Sequence, residues 1–124
     1  MATTDTWKKI STEAVLKGTA VPFGSVFIGL GNASFSVIAG DAPSGEITGN
    51  GYERIPVQWT DFVADMTNSN ILLWSAGSGW SAVGAAFVSD SFQGGSVLLW
   101  DGFATRTVNS GSTVRIDIGN FVLT

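Results

Sequence analysis

From Val26 onward, short apolar runs are interrupted again and again by glycine, asparagine, aspartate, serine or proline, and this punctuation restricts the chain to β architecture. Strands are expected at Val26–Leu30 ("VFIGL"), Phe35–Ile38, Tyr52–Trp59, Ile71–Ser75, Ala82–Val88, Val97–Trp100, Phe103–Val108, Val114–Ile118 and Phe121–Leu123. Turn signals separate nearly all of them: "AGDAPSGE", "AGSG", "SFQGG", "WDGF", "NSGS" and "IGN". Many short strands at this spacing make a β-sandwich or barrel. Gly40 to Gly51 reads as a long, mobile loop, and no internal repeat or linker divides the chain.

Two segments alternate clearly. In "YERIPVQW", Glu53, Ile55, Val57 and Trp59 face one way and Tyr52, Arg54, Pro56 and Gln58 the other. In "TVRIDIG", Val114, Ile116 and Ile118 oppose Arg115 and Asp117. Each strand is expected to have one wet face. Pro56 lacks the N–H that a central ladder position needs, so an edge strand or a bulge is expected there.

The one helical pattern lies ahead of the strands, in residues 4–17 ("TDTWKKISTEAVLK"). Thr3 or Thr4 can cap it, Asp5 suits the first turn, Lys17 suits the last, and Gly18 stops it. Trp7, Ile10 and Ala14 share one narrow face. The expected organisation is an N-terminal arm over residues 1–18 and a β-sandwich over residues 19–124, one core in 124 residues.

Side-chain chemistry removes several function classes. The chain has neither cysteine nor histidine. Disulfide frameworks, thiolate zinc sites, thiol nucleophiles, Ser-His-Asp catalysis and histidine metal ligation are therefore excluded. Net charge is −4, and the six basic residues (Lys8, Lys9, Lys17, Arg54, Arg106 and Arg115) are scattered, which argues against nucleic acid as a partner. The start "MATTDTWKKI" lacks the apolar stretch of a secretion signal, and the runs "ILLW" and "AAFV" are too short to span a membrane, so a soluble chain is expected. Only 13% of the residues are charged, about half the roughly 25% of an ordinary soluble domain. Mean hydropathy is nevertheless +0.29. Obligate interfaces are depleted in charge, so part of this apolar content is expected to be buried against other chains.

Gly49-Asn50-Gly51 invites comparison with a phosphate loop, but such a loop leads from a strand into a helix, and here a strand follows with no lysine. A tight turn with positive φ at Asn50 and its flanking glycines is the better reading. Asp41, Glu46, Asp90 and Asp101 have neither calcium-loop spacing nor a recognisable glycosidase pairing, and read as solvated rim carboxylates. Trp59, Trp74 and Trp100 lie in strands and read as core, which leaves Trp7 and Trp80 as the freer indoles. No catalytic residue, cofactor or metal site is expected.

The blocks "GEITGNGYERIPVQW" and "VGAAFVSDSFQGGSVLLWDGFATRTVNSGSTVRIDIGNFVL" together resemble stretches of a family of small tailed-phage virion proteins. "GEITGNGYERIPVQW" is similar to its Glu-Val-Ser-Gly-Gly-x-Tyr-x-Arg-x-x-Val stretch through Glu46, Gly49, Gly51, Tyr52, Arg54 and Val57. "VGAAFVSDSFQGGSVLLWDGFATRTVNSGSTVRIDIGNFVL" is similar to its Phe-x-x-Gly-Gly-x-Leu-Leu-x-x-Gly and Val-x-x-Gly-x-x-Val ending through Gly94, Gly95, Leu98, Leu99, Gly102, Val108, Gly111 and Val114. The helix and "VFIGL" fit the start of the family, whose acidic Asp-Pro loop is replaced here by "NASFSVIAGDAPS". Members are variously labelled tail-fibre or hypothetical proteins and resemble the jelly-roll cement, or decoration, proteins of phage capsids.

The resemblance implies an all-β, jelly-roll-like antiparallel β-sandwich with one short N-terminal α-helix, without enzymatic activity. It implies a homotrimer that clamps and stabilises the major capsid protein on the outer capsid surface, made in the host cytoplasm, with neither nucleic acid nor membrane as partner. Trp7, Ile10, Trp80 and Phe92 are the candidate interface residues, and Gly49, Gly51, Tyr52 and Arg54 form the structural turn-and-strand motif. A tail or tail-fibre component and a carbohydrate-binding β-sandwich module are the alternatives.

Overall fold

In a computed structural model, residues 2–20, 24–59, 66–117 and 121–123 are described. A two-residue strand β1 (Ala2–Thr3) leads into helix α1 (Asp5–Lys17). Thr4 caps the helix, its hydroxyl accepting the Trp7 N–H, and Gly18 ends it at φ 67°. The expected cap, first-turn acid, last-turn base and glycine stop all stand where the sequence puts them.

The main sheet is built from β2 (Phe27–Ile38), β3 (Ala42–Glu46), β4 (Ile55–Pro56), β7 (Val83–Ser89) and β8 (Val97–Arg106), with β1 at one side. Its order is β1-β8-β7-β2-β3, every pairing is antiparallel, and β4 pairs with β2 alone. Pro56 therefore lies in an edge strand, as its missing N–H requires. Two small antiparallel pairs complete the fold: β6 (Leu72–Ser75) with β9 (Thr113–Ile116), and β5 (Met66–Thr67) with β10 (Val122–Leu123). The chain is an antiparallel β-sandwich with a short N-terminal helix.

The main core fills the space between the layers. Ile28 and Leu30 of β2, Ala86 and Val88 of β7, and Leu98 of β8 meet Leu72 and Trp74 of β6, with Ile47, Val57 and Phe121. β7 is buried along its whole length, because a second cluster of Phe35, Ala85, Phe87 and Val97 covers its other face. In β9, Val114 and Ile116 turn inward and Arg115 outward as expected, and Asp117 just after it is exposed; Ile118 lies outside the described residues.

Three sequence expectations are corrected. "VFIGL" and Phe35–Ile38 form a single strand, whose pairing with β7 shifts register between Gly31 and Asn32; there Asn32 Oδ1 accepts the Ser34 N–H at 2.9 Å. "WDGF" likewise lies inside β8, and the glycines mark bulges instead of turns. The Gly40–Gly51 loop is partly ordered structure, since Ala42–Glu46 is a strand on β2.

Candidate functional site

Tyr52 and Arg54 of the motif meet beside Phe87 of the second cluster, and Tyr52 packs against the main core as well. Gly29 of β2 stands opposite Phe87 of β7, and a Cβ there would lie 2.3 Å from the Phe87 ring and 2.8 Å from the Tyr52 hydroxyl. The bare backbone therefore admits both rings, and Tyr52 and Phe87 roof it. Arg54 lies over Phe87, with its guanidinium carbon 5.2 Å from the ring centroid.

Arg54 is only 3% exposed, which corrects its assignment to a wet face. Its Nε and Nη2 donate to Glu46 Oε2 and Oε1, both at 2.8 Å, in a bidentate pair. Nη1 reaches Ser89 Oγ at 3.0 Å and the carbonyls of Ser91 and Gly94 at 2.8 Å. Tyr52 donates to Glu46 Oε2 at 2.5 Å and accepts the Leu30 N–H at 3.0 Å. Burial, followed by the neighbouring carboxylate, pushes the Tyr52 phenol well above its ordinary range and keeps it a neutral donor.

This cluster is a clamp. It ties β3, the segment before β4, the end of β7 and the Asp90–Gly95 loop into one unit. Among the described residues no buried side-chain nitrogen or oxygen lacks a partner, so both Glu46 oxygens are spent on Arg54 and Tyr52. Glu46 is not the solvated rim carboxylate expected from sequence.

Two more acids also do structural work. Asp90 Oδ1 accepts the Ser96 N–H at 2.9 Å and the Ser91 hydroxyl at 3.1 Å, which closes the loop that Arg54 grips. Asp41 lies in the left-handed region at φ 58°, and its Oδ2 accepts the Thr6 N–H at 2.8 Å and the Thr6 hydroxyl at 2.5 Å. A carboxylate from the turn between β2 and β3 thus caps the first turn of α1, and these hydrogen bonds hold its pKa below the usual value. Asp101 is exposed on β8.

Gly49-Asn50-Gly51 is a turn, closed by the Tyr52 N–H on the Gly49 carbonyl at 3.2 Å. Only Gly51 has positive φ (82°); Asn50 does not, and Gly49 is needed for space, since a Cβ there would lie 2.3 Å from the Trp80 ring. Trp80 donates its indole N–H to the Asn50 carbonyl at 2.6 Å and meets Tyr52 edge to face at 5.7 Å. This indole anchors the turn from within the chain.

The remaining candidates are dispersed. Trp7 is half-buried against the main core. Ile10 borders a shallow depression with Thr6, Lys9 and Glu13. Phe92 is 43% exposed and packs edge to face on Phe27 at 5.8 Å. Val15 and Leu16, at 81% and 77% exposure, were not singled out by sequence, because they fall off the Trp7–Ile10–Ala14 stripe. The exposed large apolar side chains include none of the five tryptophans, which leaves a carbohydrate module without a bare indole platform. Among the described residues no group of three or more acidic side chains is placed to hold a metal ion. No protein-family model matches the chain, and no curated protein matches it significantly.

Proposed function

We propose that this protein is a non-enzymatic structural component of a phage virion, a cement or decoration protein that binds and stabilises the major capsid shell. The observation that carries this reading is the contrast between a polar interior that is fully satisfied and a surface that is not. Among the described residues no buried side-chain nitrogen or oxygen is left without a partner. Meanwhile Val15, Leu16, Ile38, Ile71, Leu73, Phe92 and Phe103 are large apolar side chains left exposed, on a chain with only 13% charged residues. Such a surface suits permanent burial against other protein. The resemblance of the two sequence blocks to the virion family supplies the partner, and a homo-oligomer is part of the same proposal.

A ligand that binds assembled shell but not loose subunits stabilises the shell by mass action. The test is incubation of the purified protein with empty expanded capsids of the phage that encodes it, followed by pelleting. Saturable co-sedimentation is expected, and protein that stays in the supernatant at every concentration would contradict the reading.

A further inference from the structure

The C-terminal half of α1 is an uncovered knob. Val15 and Leu16 are the most exposed large apolar side chains of the described residues, whereas Trp7 at the other end of the helix packs on the core. Glu13 stands three residues before Leu16, on the same side of the helix. Its carboxylate makes no ion pair with any described residue.

Elsewhere the sandwich has a matching hollow. A cleft of about 560 Å³ opens between the far end of β8 and the strand β9. Leu30, Val83, Phe103, Val108, Val114 and Ile116 supply its apolar lining. No residue of α1 lines it, so the knob does not fill the hollow of its own chain. The volume lies within the roughly 300–1,000 Å³ of ordinary binding pockets and has room for two aliphatic side chains. Arg106 also borders the cleft and is exposed. Of the three arginines it alone has no ion pair with a described residue, since Arg54 holds Glu46 and Arg115 holds Asp117.

We infer that Glu13–Leu16 of one copy docks into the β8–β9 cleft of the next, with Val15 and Leu16 entering between the sheets and Glu13 facing Arg106. The inference rests on the homo-oligomer part of the proposed function and names the surfaces that join the copies. Knob and hollow are different patches of one chain, so the contact is head-to-tail and self-limiting only when it closes into a ring. Three copies would match the trimer that the sequence resemblance implies.

The test is mass in solution by sedimentation equilibrium at micromolar concentration, for the native protein, Leu16→Asp, Arg106→Glu and an equimolar mixture of the two variants. Both positions are exposed, and circular dichroism verifies that each variant keeps the native fold. The native protein is expected at the mass of three chains and each variant at the mass of one. The mixture is expected to form two-chain species, because the knob of the Arg106→Glu chain still fits the hollow of the Leu16→Asp chain. Variants that keep the native oligomer, or a mixture that stays at one chain, would overturn this contact. A native protein that is itself a single chain would overturn it too, while attachment of that single chain to capsids would leave the cement reading standing.

Discussion

Arg54 shows how one residue fixes several elements. Its charge, buried beside Phe87, is held by a two-point pair with Glu46 and by three further acceptors. Removing one member of such a pair strands the other, a loss of about 3–5 kcal/mol. Arg54→Met is therefore expected to lower unfolding stability by that amount in urea titration; a change below about 1 kcal/mol would show that Glu46 finds water instead. Asp41 makes a pH-dependent contribution. Its pKa is depressed in the folded chain, so its cap on Thr6 is fully present above the unfolded value and is lost as pH falls through the folded one. Hydrogen exchange at the start of α1 should accelerate as pH drops below about 4 after correction for intrinsic rates, and Asp41→Asn should remove that dependence. An unchanged profile in the variant would deny the cap its role.

At the scale of elements, the helix was legible because Thr4, Asp5, Lys17 and Gly18 act within one turn of the ends they define, whereas the cap from distant Asp41 was not. Most strands were also legible in the apolar runs, and Pro56 announced its edge, but the strand expected over residues 52–59 is reduced to Ile55–Pro56. The continuity of β2 and β8 was not, because a glycine that permits a bulge and a glycine that ends a strand look alike until the partner strand is present. The clamp was hidden for a similar reason. Glu46 and Arg54 are eight residues apart, and alternation alone sends Arg54 to water; only the pairing of β3 on β2 brings the carboxylate to it. The helix joins the sandwich through Trp7 and through buried Thr4, whose hydroxyl donates to the Val97 carbonyl at 2.6 Å. Trp7→Ala is consequently expected to cost about 3 kcal/mol of stability by creating a cavity, where the sequence alone pointed to lost partner contact. Equilibrium unfolding of the variant checks this, and an unaltered midpoint would place Trp7 outside the core.

For the whole molecule, low charge and exposed apolar side chains are two sides of one fact. The sandwich buries enough to fold, with Trp74, Phe87 and Leu98 fully enclosed, and still leaves apolar area at α1, β6, the Asp90–Gly95 loop and β8. A shell-bound protein would cover that area with neighbours, and its attachment should depend little on salt because few charges take part. The most direct measurement is the thermal stability of empty expanded capsids as the protein is titrated onto them. A saturable rise in the temperature at which the shell comes apart is expected, reached at a fixed ratio of protein to capsid subunit. A shell that falls apart at the same temperature with and without saturating protein would contradict the proposed function.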